Sequence, residues 1–103
     1  MKFVHIGIPT TDEHDWSSYL TDGKVHISDP LQDPFQVEWL KFEAGSPMPK
    51  ELQEGAHIAF EVDDLDAEMT GKTILIPPFE PLPGVRCAFI MHHGLPIELM
   101  QKI

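Results

Sequence analysis

Ala56-His57-Ile58-Ala59-Phe60 repeats the pattern of Val4-His5-Ile6-Gly7-Ile8, and each copy carries a histidine at the same place. Both stretches alternate. Phe3, His5 and Gly7 share one face of the first segment, and His57, Ala59 and Glu61 share one face of the second. The apolar residues Val4, Ile6 and Ile8, and Ile58, Phe60 and Val62, occupy the other faces. Period two over a β-branched run indicates a strand, and the apolar face is expected to lie in the core. Each copy leads to a later strand-like segment with a glutamate: Val37-Glu38-Trp39-Leu40 in the first half and Ile97-Glu98-Leu99-Met100 in the second. The chain therefore reads His…Glu, His…Glu. Two imidazoles and two carboxylates on duplicated elements are what a pseudo-symmetric sheet needs to close four ligands around a divalent metal.

Working outward, Thr11 to Leu20 places N-cap residue types and early acids ahead of Trp16 and Leu20, an i,i+4 pair, and this predicts a short helix. Asp22-Gly23 turns the chain. Lys24 to Ser28 and Gln36 to Glu43 read as strands, interrupted by Asp29-Pro30 and Asp33-Pro34, and Gly45 to Pro49 reads as a loop between the halves. After the second copy, Asp63 to Met69 is acidic at its start, as a helix N-terminus prefers, and Gly71 is placed to end it. Thr73 to Ile76 reads as a short strand and Pro77 to Gly84 as a Pro-rich loop. Val85 to Met91 and Pro96 to Gln101 read as two final strands joined through His92-His93-Gly94. A duplicated unit of this kind must bury faces that neither copy covers alone. One domain over residues 1–103 is expected, with module one about 1–48 and module two about 49–103.

The composition narrows the partners. Seventeen acidic residues against seven basic ones give a formal net charge of −10. No basic stripe exists to release counterions from phosphates, so a nucleic-acid role is not expected, nor is binding to an anionic membrane. Cys87 is the single cysteine, so no intrachain disulfide can form. No apolar h-region opens the sequence, and no apolar stretch approaches the ~20 residues that span a bilayer. A reducing, cytoplasmic setting is the expectation.

With these residues in place, the sequence resembles the glyoxalase / bleomycin-resistance / extradiol-dioxygenase group, the vicinal oxygen chelate superfamily, over nearly its whole length. The resemblance rests on Phe3-Val4-His5-Ile6, on Gly55-Ala56-His57-Ile58-Ala59-Phe60-Glu61-Val62-Asp63-Asp64 and on Gly94-Leu95-Pro96-Ile97-Glu98-Leu99. It implies an α+β fold, two βαβββ modules forming a cupped mixed sheet, here with short helices. It also implies metal ligation by His5, Glu38, His57 and Glu98, with Glu43 as the competitor for Glu38. Shared modules between subunits are common in the group, and stunted helices would leave the sheet thinly covered, so a homodimer is expected. The turn before the last strand departs from the group's usual Asp-Pro-x-Gly, reading His92-His93-Gly94.

Each of these side chains also has a plainer role open to it. A histidine facing a sheet interior is often a hydrogen-bonded core residue, but two at equivalent repeat positions, beside the small residues Gly7 and Ala59, favour ligation around a cavity. Glu98 sits in an apolar strand, where an unpaired carboxylate would cost several kcal/mol, about the effective penalty per buried ion. Adjacent His92 and His93 point to opposite faces and read as turn residues. His14 and His26 read as solvated, Trp39 as core packing, and Cys87 as a small buried apolar residue. Arg86 is the only arginine, either a surface residue or an anchor for a substrate carboxylate.

The expected function is a metal-dependent lyase or isomerase acting on a small carbonyl or enediol substrate, with Glu98 moving the proton. The metal choice stays open among Zn, Ni, Co, Mn and Fe, all of which accept mixed N/O sites. The rivals are a non-catalytic small-molecule binding protein of the antibiotic-resistance type and a ferrous dioxygenase.

Overall fold

The computed structural model describes residues 1–103 as an α+β chain with eight strands in one mixed sheet and few short helices. The strands are β1 (Lys2–Pro9), β2 (Trp16–Leu20), β3 (Val25–Ser28), β4 (Val37–Phe42), β5 (His57–Glu61), β6 (Thr73–Leu82), β7 (Val85–His92) and β8 (Leu95–Lys102). Two short helices, α1 (Lys50–Glu54) and α2 (Leu65–Met69), and a 3-10 turn at Pro30–Gln32 complete it. The order within the sheet is β2-β3-β4-β1 for one run and β5-β8-β7-β6 for the other. The two runs have the same plan: the opening strand pairs parallel with the last, and the middle strands follow antiparallel. The chain divides into two compact units, His5–Ala56 and a second made of Met1–Val4 with His57–Ile103.

In the second unit, α2 supplies the lid of the core. Asp64 caps it by accepting from the Ala67 amide at 3.1 Å, and Gly71, at φ 76°, takes the left-handed conformation that ends it. Leu65 is fully buried, and it packs with Val62, Ala88, Ile90 and Leu99, with Ile97 and Met69 at the margin. Ala88, Ile90, Ile97 and Leu99 lie on the sheet face opposite Glu98, because strand neighbours alternate. Leu65→Ala is expected to cost about 2–5 kcal/mol, the range for truncating a buried leucine, measurable by urea denaturation. β7 and β8 are joined by a two-residue hairpin turn in which His93 (φ 48°) and Gly94 (φ 86°) are both left-handed. That geometry matches the twist of the flanking strands and accounts for the glycine after His93.

The His5–Ala56 unit departs from expectation. Thr11–Leu20 does not form a helix: Trp16–Leu20 is strand β2, paired antiparallel with β3 through a bulge between Trp16 and Ser18. The Trp16/Leu20 spacing suits a helix, but Trp and Tyr also favour strands and the flanking Ser and Asp favour caps and turns. An isolated segment of this length cannot overcome helix nucleation without packing. Module one is accordingly a run of strands without the helix that module two carries. Its core is Val25, Ile27 and Leu40, with Leu20 and Phe42 against it.

Three further differences follow from local chemistry. The Pro-rich stretch after Ile76 is not a loop: β6 runs on through Leu82, with register shifts at three places. β6 is an edge strand, where a missing N–H breaks no ladder on the open side. Helix α1, where sequence reading assigned nothing, follows Pro49 and buries Leu52. In β1 and β5 the apolar face is only half-buried, whereas His5 and His57 are each 2% exposed and Ala59 is 0% exposed. The histidine-bearing face is thus the more enclosed one, because the short α2 and the missing helix of module one leave the other face thinly covered.

Candidate metal centre

In the His5–Ala56 unit, β1 and β4 run parallel with Gly7 opposite Glu38. His5 stands two residues before Gly7 and so shares its face. His5 Nε2 lies 3.4 Å from Glu38 Oε1, and the side chains are 3% and 13% exposed. In the second unit, β5 and β8 run parallel with Ala59 opposite Glu98. His57 stands two residues before Ala59, and its Nε2 lies 3.2 Å from Glu98 Oε1 in a buried pair. The register is the same in both: a glutamate opposite a residue with little or no side chain, and a histidine two positions before that residue. Gly7 and Ala59 are themselves buried, so each carboxylate stands opposite an enclosed position with little or no side chain.

His5, Glu38, His57 and Glu98 make up a group that could hold a metal ion, their ligand atoms all within 4.8 Å of one another. The donor set fits a divalent cation. Imidazole nitrogen and carboxylate oxygen together suit zinc and its neighbours in the first transition row. Burial of two carboxylates with two imidazoles is costly unless charge is balanced, and a dication with two carboxylates is neutral.

Glu43 is placed elsewhere. It lies past the end of β4 and is exposed, accepting a hydrogen bond from the Tyr19 hydroxyl at 2.5 Å, with His26 Nε2 at 3.5 Å. That hydrogen bond, which favours a protonated phenol and an ionised carboxylate, raises the Tyr19 pKa and lowers that of Glu43. Tyr19 is the only tyrosine, so ultraviolet titration reads it directly. Its midpoint is expected above the ordinary value of about 10 and is expected to return there in Glu43→Gln. The sign follows: a raised phenol pKa contributes stability that is present below pH ~10 and lost as pH rises through the folded value.

Other singled-out residues fall into place. Arg86 Nη2 lies 3.1 Å from Asp66 Oδ1, on the side of β7 that faces α2 rather than Glu98. Cys87 is fully buried. His92 and His93 are exposed at the β7–β8 turn, their rings in contact at 4.6 Å. His14 and His26 are not simply solvated. His14 stacks on Trp39 with centroids 4.8 Å apart and 9° between planes, and His26 packs on Tyr19 at 4.6 Å. These rings, with Trp16, cover the outer face of β3 and β4, where no helix does so. Trp39 is the register counterpart of Leu99, which α2 covers in the other module. The alternation of Trp39 and Lys41 with Glu38 could have placed this aromatic face from sequence; the expected helix obscured it.

No family model matches the sequence, and no curated protein matches it. Solved structures do. A hypothetical protein from Bacillus halodurans C-125 superposes with a TM-score of 0.71 at 20% identity, over 99% of this chain and 94% of that one. Methylmalonyl-CoA epimerase from Mycobacterium tuberculosis superposes with a TM-score of 0.65 at 18% identity, over 99% of this chain and 88% of that one. These likenesses establish the glyoxalase-like α+β fold that the sequence resemblance implied. No helix is long and apolar enough to cross a membrane.

Proposed function

We propose that this chain is a divalent-metal isomerase or lyase of the vicinal oxygen chelate superfamily, moving a proton at a carbon beside a carbonyl in a small substrate. The observation that carries this reading is the duplicated His–Glu register, Gly7 opposite Glu38 and Ala59 opposite Glu98, with both histidines buried. The solved neighbour whose name describes an epimerase supports an isomerase over a dioxygenase.

His5, Glu38, His57 and Glu98 would hold the metal, and a bound dication would supply Lewis-acid polarisation of the substrate carbonyl. The remaining work belongs to the chain. Glu98 is 8% exposed and lies beside His57, so its carboxylate is kept from bulk water. One Glu98 oxygen would accept the proton from the carbon next to the carbonyl and return it to that carbon or to its neighbour. Such a base needs to stand about 2.6–3.2 Å, heavy atom to heavy atom, from the site of transfer.

The test is elemental analysis of the purified protein, followed by proton NMR in D2O with a panel of 2-hydroxyketones, 2-oxoaldehyde adducts and 2-substituted thioesters. Stoichiometric metal and metal-dependent deuterium uptake at the carbon beside the carbonyl are expected. Protein that neither contains nor takes up a divalent metal would overturn the reading. Metal without exchange on any of these substrates would favour a binding protein.

A further inference from the structure

The face of the second unit that carries His57 and Glu98 also carries a set of rings. In the β7–β8 register Phe89 stands opposite Glu98, and Cys87 stands opposite Met100. The Phe89 ring meets His57 edge-on, with centroids 5.3 Å apart and 78° between planes. Phe79 on β6 lies nearly parallel to Phe89, 14° between planes and centroids at 6.3 Å. Phe89 is 5% exposed and is held in place. Phe79 is only half-buried, on a bulged edge strand.

Cations are missing from this neighbourhood by strand parity. Arg86 alternates with Cys87 and Phe89 and therefore lies on the other face, tied to Asp66. Lys41 alternates with Glu38 on β4 and is tied to Glu13. Lys102 does share the parity of Glu98, but it stands four residues along β8, roughly 13 Å at the strand rise. It is 81% exposed and ion-paired with Glu61. The other four lysines are exposed. With a net charge of −10, nothing here draws in or holds a second anionic group.

Resting on the metal reading above, we infer that the substrate carries an uncharged apolar substituent, aryl or branched alkyl, next to its vicinal oxygens, and that Phe79 is the residue that selects it. Phe89 positions His57; Phe79 offers the more exposed ring. A substrate with a carboxylate or phosphate at that position would meet the Phe79 ring with no partner for its charge.

Hydroxamates present two vicinal oxygens and probe this directly. Calorimetry on cobalt(II)-loaded protein would compare acetohydroxamate, benzohydroxamate and 4-carboxybenzohydroxamate. Benzohydroxamate is expected to bind about tenfold tighter than acetohydroxamate through ring burial. The 4-carboxy compound is expected to lose most of that gain. Phe79→Ala should weaken benzohydroxamate and leave acetohydroxamate unchanged, while Phe79→Leu should keep most of the preference. Equal affinity for the charged and uncharged rings, or an equal effect of Phe79→Ala on both small and aromatic probes, overturns the inference and leaves the metal reading standing. Failure to load cobalt overturns the metal reading and this inference with it.

Discussion

Glu98→Gln is expected to slow deuterium uptake at the substrate carbon by about 10²–10⁴-fold, the usual contribution of a positioned general base. Glutamine keeps the shape of the side chain and its place opposite Ala59, but it cannot take a proton. Two causes of the loss must be separated, since the same side chain is proposed as a metal ligand. Metal content measured beside the rate does this. A variant that retains metal and loses exchange identifies Glu98 as the base; one that loses both identifies it as a ligand. Glu38→Gln is the control, because Glu38 occupies the equivalent register in module one. If both substitutions leave exchange untouched, neither carboxylate moves the proton and the proposed function fails.

A divalent ion at 1,000 times its Kd should stabilise the protein by about 4 kcal/mol through mass action. For a domain of 103 residues each kcal/mol is worth about 4–8 °C, so a rise of roughly 15–30 °C in Tm is expected. His5→Ala and His57→Ala should each remove most of that rise, because each deletes one of four donors. Their own effect without metal is separate. Each leaves a carboxylate without the imidazole that stands 3.4 or 3.2 Å from it, so each is expected to lower the stability of the metal-free protein as well. The informative quantity is therefore the metal-induced shift in each variant, read by differential scanning calorimetry. A wild-type protein whose Tm ignores zinc, nickel, cobalt and manganese would contradict the proposed centre.

Much of this candidate site is legible in the sequence, and the reason is duplication. One His in an alternating strand is ambiguous. Two at equivalent positions, each followed by a Glu in a later strand, define a geometry, because parallel pairing of the first and last strands places them on one face. What escaped the sequence was decided by tertiary context. Trp16 and Leu20 fit a helix as well as a strand, and only pairing with β3 selects the strand. Pro77, Pro78 and Pro81 argue for a loop unless the strand is known to lie at a sheet margin. The burial of the histidine faces over the apolar ones inverts the usual expectation for an amphipathic strand, and it depends on how little helix the chain has to spend on covering the sheet. The aromatic shield of His14, Trp39, Tyr19 and His26 follows from the same shortage.

The prolines of β6 have a consequence for how the molecule behaves when crowded. A sheet margin normally offers a row of free amides and carbonyls on which another chain can template itself, the first step toward fibrils. Here that margin is broken three times in register and lacks the amide hydrogens of Pro77, Pro78 and Pro81. A chain trying to extend the sheet from β6 would find neither a straight ladder nor a full set of donors, so this rim resists stacking at the concentrations at which an unguarded strand would polymerise.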